Sequence, residues 1–380
     1  MNRSDVIVIG AGISGIYAAR ELERQGKSVV LLEARDRIGG RLLTKEIHKD
    51  VEVDLGGQWI GPTQDNMYAL VSEYGAEIQP AYFEGKSVIS LNNKRKTYKG
   101  LIPPLPITSL LSLDRAIKKI NRLSRAVVLD APWKTPNAKK LDGITLENWM
   151  SKNIRFKKAK AIFKIAAETV FATSVADISL LHALVYIKSG NDFDCLINVE
   201  NGAQQDKIAG GAQSLLKLMI EVLNTKVNLN CAVKEIVQNE NGVSAICAHQ
   251  TFYGKKAIVT VPPAALENID FSPELPINKK QLISRSFMGS AIKCYALYET
   301  PFWKEKGLNG MASNNQGYIS VTFDNTNPKH RYGIIIGFVV GDKAKEFVNF
   351  TEKKQQNLIS KELVHLFGED AARPIKIHSE

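Results

Sequence analysis

A chain of 380 residues with 44% hydrophobic and 23% charged side chains can bury two or three domain cores, and it is neither disordered nor fibrous in composition. Its 50 Lys and Arg outnumber 39 Asp and Glu, for a formal charge of +11, yet the lysines are scattered, as in KKAKAIFK and TEKKQQN. With no aromatic-interleaved basic stripe, no nucleic-acid partner is expected. The four cysteines, Cys195, Cys231, Cys247 and Cys294, form no CxxC pair and no framework spacing, so a reducing, cytoplasmic setting and no metal site are expected.

In chain order, DVIVIG reads as a buried strand and runs directly into GAGISG, after which ISGIYAARELERQG continues with helical periodicity to Gly26. Gly10, Gly12 and Gly15 therefore form GxGxxG at a strand end. Gly10 suits a tight turn, Gly12 a close backbone approach to a pyrophosphate, and Gly15 close packing of helix on strand. Amides at the helix N-terminus, including those of Ile13 and Ser14, can hold the phosphates. A second strand, SVVLLE, ends at Glu33, placed to accept hydrogen bonds from ribose hydroxyls and to disfavour a 2'-phosphate. The order of strand, glycines, helix, strand and acid predicts a dinucleotide site.

Downstream, EARDRIGGR adds Ala34, Arg35, Gly39, Gly40 and Arg41, and VDLGGQWIGPTQ adds Gly56, Gly57, Gln58 and Trp59. Further glycine clusters let backbone approach a larger ligand, and a guanidinium can pair with its pyrophosphate. LENWMSKN, KKAKAIFKIAAETVFAT and DISLLHALVYIKSG read as helices, and AGGAQSLLKLMIEVLN as another. KVNLNCAVKEIVQ and KAIVTV read as strands. SAIKCYALY has the pattern of a strand with Ala291, Lys293, Tyr295 and Leu297 on one face, and on its own it suggests an edge strand whose lysine reaches water. The start of the chain lacks a signal-peptide cleavage pattern, and YGIIIGFVVG (332–341) falls short of the ~18–20 residues of a membrane span, so no span is expected.

A glycine pair with an arginine just after the ribose acid resembles the second signature of FAD-dependent amine oxidases. LDAPWKTP, NGAQQDKIAGGAQSL, TVPPAAL, MGSAIKCYALYETPFW and FDNTNP extend the resemblance over the whole chain, in the order of the flavin-containing monoamine oxidase family. That family's α/β fold interleaves a Rossmann-like FAD domain with an α+β substrate domain. Here the FAD domain is expected at 1–79 and 209–284 and the substrate domain at 80–208 and 285–380.

The resemblance implies FAD as cofactor and places Val233 against the adenine. Thr169, Val170, Phe171, Ile197, Gln204 and Val321 become the expected substrate liners; the small Val321, where the family often has a bulky aromatic, would widen the entrance. Lys293 falls on the family's lysine beneath the flavin ring, reaching N5 through a water. Among apolar groups a lysine loses hydration, so its pKa is expected to fall and fit it to proton relay or oxygen activation. The implied reaction is two-electron oxidation of a neutral amine to an imine, then aldehyde, with O2 reduced to H2O2. A homodimer is among the family's expectations.

No basic liner is present to hold an amino acid's carboxylate, which favours simple amines; a polyamine or amino-acid oxidase is the alternative within the superfamily. His182, in LLHALVY, is expected to be a packed residue and not a base. The family continues beyond the equivalent of GEDAARPIKIHSE with a third FAD segment, so the chain reads as a fragment of an oxidase or, alternatively, as a shortened, catalytically inactive nucleotide-binding relative.

Overall fold

Residues 3–100 and 103–380 are described by a computed structural model. The chain divides into two compact units, each gathered from three stretches: Met1–Gln58, Asn66–Gln79 and Lys207–Met288 in the first, and Trp59–Asp65, Pro80–Asp206 and Gly289–Glu380 in the second.

The first unit is built on a seven-stranded sheet. The interior strand Arg3–Ile9 pairs in parallel with Val29–Leu32 on one side and Thr251–Val259 on the other. Val227–Asn228 extends the sheet beyond Val29–Leu32, and the antiparallel strands Gly242–Cys247 and Val233–Asn239 extend it beyond Thr251–Val259, with Asp270–Ser272 paired in parallel at the far edge. A parallel strand buried on both faces reads as an unbroken apolar run, which is why VIVI shows no alternation. Ile7, Ile9, Leu32, Val233, Ile236, Val243 and Ala245 form the core on this sheet. Each fully buried aliphatic side chain there contributes about 1.5–3 kcal/mol. The helix Ile13–Arg24 starts just beyond the carboxyl end of Arg3–Ile9 and lays Ile16 and Ala19 inward.

In the second unit the sheet runs Lys376–Ser379, Ala291–Tyr298, Gly333–Val340, Val321–Asp324, Leu308–Asn314, Lys86–Leu91, Lys94–Lys99. Cys294, Ala296, Tyr298, Ile335 and Val339 face one way and pack with Ile359, Leu363, Leu366 and Phe367 of the helix Glu352–Phe367. A separate helical core joins Ile120, Trp149, Phe163, Leu184 and Phe193, with the Phe163 and Phe193 rings stacked at 5.0 Å. These helices, Ile107–Arg125, Leu146–Asn153, Lys157–Phe171, Leu180–Ser189 and Phe193–Ile197, carry their apolar residues at helical spacing.

Three expectations change. Ala291–Tyr298 is an interior strand and not an edge: Lys293 lies opposite Phe338 on one side, and on the other its N–H donates to Glu380 O at 2.9 Å while Glu380 N–H returns a bond to Lys293 O at 3.0 Å. His182 is exposed, because its turn of Leu180–Ser189 places Leu181, Ala183 and Leu184 inward instead. Cys231 and Cys247 form a disulfide, since the hairpin of Val233–Asn239 and Gly242–Cys247 brings Cys247 opposite Val233.

Candidate active site

In the first unit the glycines fall into two kinds. Gly10 is at φ +103, and a Cβ there would sit 2.7 Å from Thr260 Oγ1; at Gly15 a Cβ would lie 1.8 Å from Gly10 O. Both positions are dictated by the polypeptide, whose turn and helix packing leave no room. Gly12 differs. Its backbone, φ −77 and ψ 178, suits any residue, and a Cβ would meet no protein atom nearer than 3.9 Å. Nothing in the chain demands glycine there, and the space on that side is open to close approach of a ligand to the backbone.

The helix Ile13–Arg24 opens without a side-chain cap and without an acidic residue in its first turn. Its first amides therefore keep their polarity for an anion. Ile13 is half-buried and Ser14 exposed at this end. Glu33 is buried, and its carboxylate accepts from Ala11 N–H at 2.8 Å and from Arg35 N–H at 3.0 Å. A carboxylate has about four acceptor sites, so lone pairs remain for two ribose hydroxyls. The segment carrying Cys231 and Val233 runs alongside: Cys231 N–H donates to Glu33 O at 2.8 Å and Asn230 N–H to Arg35 O at 2.9 Å. Val233 is buried at the start of its strand.

Gly39 (φ +111) and Gly40 (φ +57) bring the second glycine loop against the first: Gly39 N–H donates to Ala11 O at 2.9 Å, and a Cβ on Gly40 would lie 3.3 Å from Gly12 Cα. Gly56 and Gly57 lace back onto this loop through Leu43 O and Arg41 O. Ala34, Arg35 and Arg41 are exposed, and Arg35 Nη1 reaches Gly40 O at 3.4 Å. Gln58 is buried.

Sequence reasoning missed the groups that shape this loop. Arg37 donates to Ile38 O, Gly40 O and Leu42 O at 3.2–3.4 Å. Gln213, in the first turn of Ala212–Glu221, donates to Ile38 O at 2.9 Å and accepts from Thr44 N–H at 2.9 Å, while Asp54 accepts from Ala212 N–H and the Thr44 hydroxyl. The one available signal was polar side chains beside glycine pairs, too weak to single them out.

In the second unit Lys293 stands half-buried on the sheet face opposite Cys294. Val321 and Phe338 are cross-strand partners, as are Lys293 and Phe338, so the three share a face. Trp59, Phe323 and Phe338 form an aromatic group with ring centres 5.2–6.1 Å apart, and Lys293 Nζ lies 5.8 Å from Trp59 and 5.9 Å from Phe338. At this range each ring face attracts the ammonium. Trp59, expected on the cofactor, thus stands with the lysine; Phe323 and Phe338 were not singled out from sequence.

The remaining expected liners sit on the helical layer of the same unit. Val170, Phe171 and Ile197 pack on its core, and Phe171 meets Tyr186 edge to face at 5.4 Å. Thr169 Oγ1 is turned back to Ile165 O at 2.8 Å, and Gln204 Nε2 donates to Leu196 O at 3.1 Å. Ala172 O accepts from Ser290 N–H at 2.7 Å, which pins the end of Lys157–Phe171 three residues from Lys293. Thr169, Val170 and Phe171 are thereby tethered to the lysine strand.

Among the described residues no cluster of His, Cys, Asp or Glu is arranged to hold a metal ion, and no helix is long and apolar enough to cross a membrane.

Comparison with known proteins agrees with this architecture. Residues 13–380 match the family described as flavin containing amine oxidoreductase. The Mycobacterium tuberculosis AofH protein, assigned to the flavin-containing monoamine oxidases, is 35% identical over 371 residues, covering 98% of this chain and 81% of its own. Mouse amine oxidase [flavin-containing] B is 33% identical over 380 residues, covering 98% and 73%. Wild-type putrescine oxidase, solved with putrescine bound, superposes with a TM-score of 0.95 at 30% identity, covering 100% and 84%. The glycine cradle open at Gly12, the uncapped helix end and the free acceptor sites of Glu33 fit a dinucleotide of the FAD type. The chain belongs to the flavin containing amine oxidoreductases, and it is an FAD-dependent amine oxidase.

Proposed function

We propose that the substrate is a simple primary amine, oxidised to an imine that hydrolyses to aldehyde, and that Lys293 serves the oxygen-dependent half of the cycle. When bound, FAD supplies the two-electron acceptor and passes the electrons on to O2, releasing hydrogen peroxide. The chain's own residues bind, orient and exclude water. Gly12 and the amides of Ile13 and Ser14 hold the pyrophosphate at the helix end that Gly10 and Gly15 shape; Gly39, Gly40 and Arg41, with Ala34 and Arg35 beside them, flank it; Glu33 takes the ribose, Val233 the adenine, and Gly56, Gly57, Gln58 and Trp59 the flavin end.

What supports a role for Lys293 is its setting, an ammonium on an interior strand held among Trp59 and Phe338. A strand needs no lysine there for solubility. Thr169, Val170, Phe171, Ile197, Gln204 and Val321 line the amine pocket in this proposal. None carries a charge to pair with a second ammonium or a carboxylate, which favours monoamines over the diamine that the putrescine oxidase title names. A homodimer and a cytoplasmic location belong to the same reading, open to light scattering and to cell fractionation.

The test is Lys293→Met in the FAD-loaded protein. Slower flavin reoxidation by O2 with little change in amine binding supports the role. An oxidative half-reaction equal to wild type refutes it.

A further inference from the structure

We propose that the Cys231–Cys247 disulfide is a reversible redox latch that sets how tightly the nucleotide end of FAD is held. The proposal rests on the assignment of Glu33 and Val233 to the adenosine side of the cofactor site.

The position of the bond carries the argument. Cys231 lies between the strands Val227–Asn228 and Val233–Asn239, in a stretch outside the sheet ladder where Asn230 takes a left-handed turn at φ +55. This stretch forms one wall beside Glu33. Glu33 N–H donates to Asn228 O at 2.9 Å, Cys231 N–H to Glu33 O at 2.8 Å and Asn230 N–H to Arg35 O at 2.9 Å. Glu33 in turn accepts from Ala11 N–H in the first glycine loop. Two backbone bonds thus link residues 228 and 231 to Glu33 and a third links Asn230 to Arg35, while the Glu33 carboxylate makes the link to the turn.

Cys247 is anchored differently, at the end of Gly242–Cys247 and opposite Val233, with a register shift in the hairpin between Val233 and Glu235. The disulfide, with a sequence separation of 16, restricts the unfolded chain, and in the folded protein the ladder already holds residues 233 and 247 together. The disulfide's constraint there falls on residues 229–232, which have no ladder partners of their own. The bond ties this stretch, which lies outside the ladder, to a strand end, with Cys231 two residues from Val233.

Cys231 is half-buried, open enough for a small thiol to attack, whereas the other two cysteines, Cys195 and Cys294, are buried and unbonded. Reduction by a dithiol converts the S–S bond to two thiols while the reagent becomes a cyclic disulfide; the two electrons and two protons come from the reagent. In the reverse direction two thiols and one H2O2 give the disulfide and two waters. Peroxide is the product of the enzyme's own turnover, so catalysis regenerates the tight-binding form.

The experiment measures FAD dissociation constants by flavin fluorescence for the oxidised protein, for the same protein reduced with dithiothreitol, and for Cys231→Ser/Cys247→Ser. The expected result is about fivefold weaker binding in the reduced protein and the double variant, the scale of one hydrogen bond made dependent on the latch. Added peroxide should restore the reduced wild type and leave the double variant unchanged. Equal affinity in all states, or free thiols at both positions in the air-oxidised protein, would overturn the proposal. Should the double variant fail to fold, the reduced and reoxidised wild type alone decide. A Glu33→Gln control separates the two ideas: unchanged FAD affinity there removes the ribose assignment, whatever the redox result.

Discussion

Gly12 and Gly15 stand three residues apart in one motif, but their environments demand opposite outcomes when each becomes alanine. At Gly15 the new Cβ would be 1.8 Å from Gly10 O, 3.0 Å from Gly10 C and 3.0 Å from Thr260 Oγ1. The first two are backbone atoms at the sheet's carboxyl end. Relief requires the helix to move away from the strand end by roughly 1 Å or more, which is an overpacking cost of about 1–3 kcal/mol or more. At Gly12 no atom lies within 3.9 Å and the backbone is already extended, so Gly12→Ala should leave the protein as stable as wild type or about 0.4–1 kcal/mol more stable through a less flexible unfolded chain. The methyl would instead occupy the ligand's approach. Loss of two or so charge-assisted amide contacts, about 3 kcal/mol, corresponds to roughly a hundredfold weaker binding of FAD. Urea unfolding of the FAD-free protein and fluorescence titration with FAD separate the two effects. Gly12→Ala with wild-type FAD affinity, or with lost stability in the FAD-free protein, would show that the cradle argument is mistaken.

Other outcomes follow from the same geometry. Phe163→Ala, which removes a fully buried ring stacked on Phe193, should cost about 3–5 kcal/mol in unfolding free energy measured by urea titration. Val321→Tyr should reduce turnover of bulky amines more than of small ones in a peroxide-coupled assay, and equal effects would remove Val321 from the pocket. Burial holds the carboxyls of Glu168 and Glu362 above their usual range although backbone N–H groups of Val175, Tyr318 and Ile319 favour their charged forms. The unfolded chain therefore releases these protons first, so stability should fall as pH rises from the ordinary glutamate range through the raised values. Burial holds Lys343 below its usual range, and its contribution has the opposite slope at alkaline pH, with stability rising between its lowered value and that of an ordinary lysine. Thermal unfolding against pH should show both limbs; Glu168→Gln/Glu362→Gln should flatten the acidic one, and an unchanged slope would contradict the assignment.

Much of the fold could be read from local pattern. VIVI, the glycines and ISGIYAARELER follow one another without a gap, and strand, turn and helix are all set by neighbours in sequence. Helices such as Lys157–Phe171 announced themselves by the spacing of Ala159, Phe163 and Ala167. What escaped depends on partners distant in the chain. SAIKCYALY looked like an edge because nothing in it reveals that Gly333–Val340 and Lys376–Ser379 flank it. Cys231 and Cys247 carry no recognisable spacing, and the register of a hairpin is what brings them together. Arg37 and Gln213 act on the Gly39–Gly40 turn through carbonyl oxygens, which a sequence does not display. His182 shows the converse: helical context suggested burial, while the turn placed it outward.

Anaerobic mixing of the FAD-loaded protein with a simple primary amine, benzylamine for instance, followed by visible absorbance, addresses the amine-oxidase assignment with the fewest assumptions. The oxidised flavin band should disappear, the matching aldehyde should be recovered, and admission of oxygen should restore the band with release of peroxide. A flavin that stays oxidised with monoamines, diamines and amino acids alike would contradict that assignment.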